Sequence, residues 1–253
     1  MKISLFQYSP EWENVEENIS IIESILTRNV SDEDIIIFPE MTLTGFTMES
    51  KKFAEELDGT GTKYFISLSQ RLKKHIFAGI IELDDDRIYN SLVHFDNFGL
   101  IRARYRKIHP FSYAKENQFY DAAKEIVTTK IDQTKIGLTI CYDLRFPELY
   151  RLYGKERNEI IINIANWPIK RIEHWKHLLK SRAIENQCYM IGVNRIGSDP
   201  FNDYSGSSAI YDPMGEEVLV CPNEEGLFTT EIDLSKVEEV RRKLPFLDDI
   251  KLI

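Results

Sequence analysis

Apolar residues recur along the chain with two different periods, and the switches between them predict its elements. KISLFQY, residues 2–8, alternates apolar and polar positions as a half-buried strand does. Pro10-Glu11-Trp12 then opens a predicted helix with Val15, Ile19, Ile22 and Leu26 on one face. DIIIFPE, residues 34–40, is continuous, β-branched and closed by proline, as a strand covered on both faces would be. Thr62 to Lys74 reads as a helix with Phe65, Leu68 and Leu72 on one side. HIFAGIIEL and IYNSLVHF flank the acidic turn Asp84-Asp85-Asp86-Arg87 as a hairpin, and Asp96-Asn97-Phe98-Gly99 turns the chain into LIRARYRK.

The second half repeats the alternation. KIGLTICYD is a strand running into a sharp turn, Pro147 to Tyr153 a short helix, and EIIINIAN a second buried strand. A helix from Lys170 to Asn186 carries Ile172, Trp175, Leu179 and Ala183 on one face, and CYMIGVNRIG is a strand again. From Ser205 the pattern predicts paired strands around Asp212-Pro213-Met214-Gly215, then a helical piece from Ser235 to Arg242. Asn117 to Lys135 is the least patterned stretch. Strands alternating with helices, with hairpins added later, indicate an α/β fold with mixed sheets. There is no fixed-period repeat, low-complexity segment or Gly/Ser/Pro linker, so one domain over residues 1–253 is expected.

Composition narrows the partners. The 253 residues are 43% hydrophobic and 29% charged, an ordinary globular balance that is ample for a core without metal or disulfide staples. Thirty-two basic against 41 acidic residues leave a net charge of −9 with no Lys/Arg block, which argues against nucleic acid and anionic membrane surfaces. Ile35 to Pro39 and Ile160 to Ile164, the longest apolar runs, fall far short of a bilayer span, and the N-terminus turns polar too early for a signal segment. Cys141, Cys188 and Cys221 are odd in number and far apart, which suits free thiols in a reducing cytoplasm.

Three strand ends carry reactive groups: Glu40 after IIIFP, Lys107 after LIRARYR and Cys141 after KIGLTI. An acid, an amine and a thiol are a workable set for acyl transfer. The thiolate attacks, a carboxylate shuttles its proton, and an ammonium holds a developing oxyanion. Each also has a bland reading: Cys141 as core filler, Glu40 as a surface acid, Lys107 as part of the solvated stripe Arg102, Arg104 and Arg106. Two other features carry less. Asp58 to Lys63 lacks phosphate-loop spacing, and His174 and His177, beside Glu173, have no evident third ligand segment for a metal.

Taken together, FPEMTLTGF, YRKIHPF and ICYDLRFPE resemble, in that order, the three signature segments of the nitrilase superfamily of carbon–nitrogen hydrolases. The likeness continues through Trp12 and Asn18, ANWP at 165–168, RAIENQ at 182–187, VNRIG at 193–197 and SGSSAIYDPMGE at 205–216, and so spans almost the whole chain. RAIENQ, NWP and NRIG narrow it to the branch containing omega-amidases. The resemblance implies a four-layer α-β-β-α sandwich with mixed sheets and association as a homodimer or higher homo-oligomer through the cysteine-side helices. It implies Cys141 as nucleophile, Glu40 as general base, Lys107 with the Tyr142 N–H as oxyanion donors, and no metal or organic cofactor. Glu116 matches a second family glutamate that orients the lysine, with a plain surface glutamate as the alternative. Pro110, where relatives commonly have leucine, departs from the pattern without removing a reacting group.

The implied substrate is a small-molecule amide, in that branch the terminal amide of a small dicarboxylic monoamide such as 2-oxoglutaramate. Arg145 and Arg195 are available for its distal carboxylate, although Arg145 could instead brace the turn with Glu148. Phe46, Tyr142 and Trp167 are placed by the motifs to wall the pocket. An amidase for deaminated glutathione or N-carbamoyl compounds is the alternative within the family. An idle scaffold is the alternative outside catalysis, and it would not need Glu40, Lys107 and Cys141 together.

Overall fold

In the computed structural model, which describes residues 1–29 and 32–252, the two isoleucine runs become inner strands of two separate six-stranded sheets. The first half of the chain comprises β1 (Lys2–Gln7), α1 (Val15–Asn29), β2 (Ile35–Ile37), α2 (Ser50–Phe53), α3 (Thr60–Leu72), β3 (His75–Asp84), β4 (Arg87–Phe95) and β5 (Ile101–Arg106). The middle follows with β6 (Thr128–Ile131), β7 (Thr134–Ile140), α4 (Pro147–Lys155), β8 (Ile160–Ala165), α5 (Ile172–Asn186) and β9 (Tyr189–Asn194). The chain closes with β10 (Ile196–Ser198), β11 (Asp203–Ser205), β12 (Ala209–Tyr211), β13 (Glu217–Val220), β14 (Gly226–Glu231) and α6 (Ser235–Lys243).

One sheet runs β14-β1-β2-β3-β4-β5 and the other β13-β12-β9-β8-β7-β6. Both are mixed: β1, β2 and β3 pair in parallel in the first and β7, β8 and β9 in the second, with antiparallel strands outside them.

Strand alternation explains why these runs are apolar on both faces. Ile35 and Ile37 enter the layer between the sheets with Ile3, Leu5, Leu138 and Ile162, whereas Ile36 packs outward with Phe65 of α3 and Ile22 of α1. Likewise Ile160, Ile162 and Ile164 face inward, and Ile161 packs outward with Tyr150 of α4 and Trp175 and Leu179 of α5. The result is a four-layer α-β-β-α sandwich. Its inner layer is fully dry at Leu138, where truncation to alanine would cost about 2–5 kcal/mol. Polar contacts also bridge the sheets: His94 Nδ1 of β4 lies 2.8 Å from Thr129 Oγ1 of β6, and Gln7 Oε1 of β1 accepts the Ser208 N–H at 3.1 Å just before β12.

Several boundaries differ from the pattern-based expectation. The first helix begins at Val15 rather than near Pro10, because Asn14 Oδ1 accepts the Glu17 N–H at 3.1 Å and caps the helix there. The weakly patterned 117–135 segment contains β6, an edge strand with few apolar residues to announce it. CYMIGVNRIG is not one strand: it breaks at Arg195, and β10 leaves to pair with β11 as a separate hairpin. The Asp58–Lys63 loop opens α3, where Glu55 accepts the Gly61 and Thr62 N–H groups at 2.9 and 2.7 Å.

Candidate active site

The carboxyl ends of β2, β7 and β8 meet at one edge of the sandwich, and the chain leaves them through Glu40, Cys141 and Asn166. Gly79 sets the height of the Glu40 turn. The Thr42 N–H donates to the Gly79 carbonyl at 2.9 Å, and a Cβ on Gly79 would stand 2.5 Å from Met41 N and 2.8 Å from Glu40 Cα.

Lys107 emerges just past β5, its N–H anchored to the Asn90 carbonyl at 2.9 Å. Its ammonium donates to Glu40 Oε1 at 2.8 Å and to Glu116 Oε1 and Oε2 at 3.1 and 3.0 Å. All three ionisable side chains are at most 1% exposed. Asn90 Nδ2 donates to both acids, at 2.7 Å to Glu40 Oε1 and 2.9 Å to Glu116 Oε1. The other Glu40 oxygen accepts the Asn166 N–H at 2.8 Å, while the Phe111 N–H donates to Glu116 Oε2. Glu116 is therefore a cluster member and not a surface acid. Desolvating three charges costs several kcal/mol each, and an apolar core would have no reason to bear it.

Cys141 sits at the start of a tight turn with φ +46°, the left-handed conformation that an L-residue adopts at a cost of about 1–3 kcal/mol. Asp143 holds that turn: it accepts the Ile140 N–H at 2.9 Å, the Tyr105 hydroxyl at 2.7 Å, and the His109 N–H and Nδ1–H at 3.0 and 2.8 Å. Cys141 as a residue is half-buried, and its Sγ lies 4.0 Å from the Asn166 carbonyl.

Charge sets the resting protonation. Burial pushes the Cys141 thiol well up and the Glu40 carboxylate adds to the effect, outweighing the Lys107 ammonium, so the resting form is the thiol. For Glu40 burial acts upward, but the Lys107 charge and the hydrogen bonds from Lys107, Asn90 and Asn166 prevail and hold it below the usual carboxylate range. Burial would lower Lys107, yet Glu116 and Glu40 drive it well above the ordinary lysine value. Burial raises Glu116 and repulsion from Glu40 assists, partly offset by Lys107. A neutral thiol thus faces a carboxylate and a fixed ammonium, an arrangement able to couple proton transfer to attack by sulfur.

A cavity of about 640 Å³ opens onto Cys141, and Phe46, Tyr142, Arg145 and Trp167 line it. Arg145 does not brace the turn through Glu148. Its guanidinium lies 4.8 Å from the Trp167 ring centroid and donates to His174 Nδ1 at 3.3 and 3.4 Å. Arg195 is not among the lining residues and so is a correction to the substrate set. It is fully buried, donates to the Ile196 and Ser198 carbonyls at 3.0 and 2.8 Å, and packs over Tyr204.

Asn90, Asn166 and Asp143 were not singled out from sequence. Asn166 and Asp143 lie inside quoted motifs, but Asn90 is one polar residue within a strand and gives no signal until its neighbours across the site are known.

Residues 2–242 match the model of the family described as carbon-nitrogen hydrolase. The chain is 34% identical over 253 residues to the 2-oxoglutaramate amidase of Bacillus subtilis (strain 168), covering 98% of this chain and 97% of that protein. It is 31% identical over 252 residues to the omega-amidase YafV of Yersinia enterocolitica, covering 98% and 96% respectively. Among solved structures, XC1258 from Xanthomonas campestris, a CN-hydrolase superfamily protein with an arsenic adduct in the active site, superimposes with a TM-score of 0.93 at 28% identity, covering 100% of this chain and 98% of that one.

Proposed function

The chain belongs to the carbon–nitrogen hydrolase family and is an amide hydrolase, and on that footing we propose that it removes the terminal amide of small dicarboxylic monoamides, 2-oxoglutaramate among them, through a thioester on Cys141. Glu40 takes the thiol proton as Sγ attacks the amide carbon. Charge moves onto the carbonyl oxygen, which Lys107 and the Tyr142 N–H receive; that N–H heads the turn after Cys141, where the turn itself supplies no acceptor. Collapse expels the nitrogen, Glu40 returns the proton to it, and ammonia leaves. Water, deprotonated by Glu40, then cleaves the thioester to the carboxylic acid and restores the thiol. Glu116 positions Lys107, and Arg145 takes the distal carboxylate of the substrate.

What supports this most is one observation: the Glu40–Lys107–Glu116 network is closed, buried and electrostatically coupled to Cys141, and a cavity opens onto that thiol. Ammonia release from 2-oxoglutaramate, succinamate, glutamine, deaminated glutathione, N-carbamoyl-β-alanine and simple nitriles tests it. Turnover of the first two is expected, and activity confined to the last two would sink it. A second reading, hydrolysis of deaminated glutathione, is favoured by the cavity volume of about 640 Å³, which exceeds what a five-carbon monoamide fills.

We further take residues 1–253 as one domain that associates at least as a dimer through its cysteine-side helices, where Leu152 of α4, Ile184 of α5 and nearby Met214 are exposed. A cytoplasmic setting would keep Cys141 reduced. A monomer by light scattering would count against the association.

A further inference from the structure

Two guanidinium groups face the cavity that opens onto Cys141, and among the described residues no carboxylate pairs with either. Arg145 lies over Trp167 and 6.0 Å from the Tyr142 ring centroid. Arg171, in the turn before α5, lies 5.5 Å from the Phe111 ring centroid, and Phe111 packs on Tyr142 at 4.8 Å. The two cations therefore flank one continuous aromatic wall. Because arginine only donates, His174 Nδ1 is the acceptor in its contact with Arg145.

The acids nearby in sequence are paired elsewhere or exposed. Glu148 is exposed, and Glu173 pairs with Lys176 at 2.9 Å. Of the acids lining the cavity, Asp199 accepts the Tyr204 hydroxyl and the Phe201 and Asn202 N–H groups, whereas Glu13 and Glu49 share the rim with Lys52. Partial burial, with repulsion from Arg171 added to it, holds Arg145 below its ordinary value. Two unneutralised like charges on a half-buried wall are unfavourable in an empty site, and an anion between them relieves both.

We propose that Arg171, a residue the catalytic account leaves unused, completes with Arg145 a dicationic subsite that binds the carboxylate end of the acyl group and rejects amides bearing an α-ammonium, so that unaminated dicarboxylic monoamides are taken over glutamine and asparagine. An α-ammonium stands one carbon from that carboxylate and would be held against two cations. A 2-oxo oxygen at the same carbon is an acceptor for the donors that Arg145 leaves free. The inference rests on the amidase reading for its chemistry, but the subsite itself is separable from it.

The test compares wild type, Arg171→Gln and Arg171→Lys on glutaramate, L-glutamine and the neutral amide valeramide. The expected result is that Arg171→Gln lowers the glutaramate-to-valeramide ratio of kcat/KM about tenfold, mostly through KM, and raises glutamine relative to glutaramate. Arg171→Lys should recover part of both. Equal effects on glutaramate and valeramide, or an unchanged glutamine preference, would overturn the subsite. If wild type hydrolyses none of the three, the amidase reading fails separately. Glutarate binding to Cys141→Ala by calorimetry then decides: weakening by added Arg171→Gln upholds the subsite, and unchanged affinity refutes it.

Discussion

Replacing Asn90 with alanine deletes two hydrogen bonds to buried carboxylates while leaving the backbone anchor of Lys107 in place. The lost bonds are those at 2.7 Å to Glu40 and 2.9 Å to Glu116. A hydrogen bond to a charged group contributes about 1.5–3 kcal/mol. At the lower end, one such loss from ionised Glu40 corresponds to about one pH unit. The sign follows from the direction of the native shift. Burial alone would raise Glu40, and donors including Asn90 hold it low, so removing a donor moves it upward. The acidic limb of kcat/KM should therefore shift up by about one pH unit, because that limb reports the base of the free enzyme. At neutral pH Glu40 remains ionised, but it and Lys107 lose a shared constraint, and kcat should fall by about 10–100-fold. The assay is ammonia release between pH 4 and 9, with thermal melting as a control for folding. A folded Asn90→Ala protein with an unmoved acidic limb and wild-type kcat would refute this reasoning.

Gly79→Ala should cost about 1–3 kcal/mol by thermal or urea unfolding, since the new methyl meets backbone of the Glu40 turn at 2.5–2.9 Å rather than a yielding side chain. Its kcat should drop about 100-fold if Glu40 moves by roughly an ångström, and a fully active, fully stable variant would contradict the packing described. Burial and the neighbouring His75 lower His94 from 6.5 to about 3, so the unfolded chain takes up a proton first. Stability from this group is complete above pH 6.5 and is lost as pH falls toward 3, with about 2 kcal/mol gone by pH 5. Urea midpoints at pH 7 and 5 for wild type and His94→Gln check this, and an identical pH dependence in the two would exclude His94 as its source.

Periodicity made the layers legible because Ile35–Ile37 and Ile160–Ile162 are apolar on both faces, which only strands covered on both sides require. Glu40, Lys107 and Cys141 could be picked out as candidates because they stand where strands end. Asn90 could not, since its two partners come from loops 50 and 26 residues away and meet it only once β2, β4 and β5 are assembled in one sheet. Arg195 was misplaced for a local reason. It adjoins Asn194, whose side chain does support the site by accepting the Trp167 N–H at 2.7 Å, but the chain breaks from the sheet there and sends the arginine among the carbonyls of β10. Arg171 gave no motif signal at all; what sets it apart is that among the described residues no carboxylate pairs with it, which is a property of the folded cavity.

The proposed function requires that the amide bond break through a covalent acyl group on Cys141. Rapid-quench mass spectrometry of the protein mixed with succinamate measures it directly. A succinyl adduct that maps to Cys141, forms together with a stoichiometric burst of ammonia and is lost with its carrier in an inactive Cys141→Ala protein is the predicted result. Steady ammonia release from Cys141→Ala, or a burst without any adduct on that residue, would contradict it.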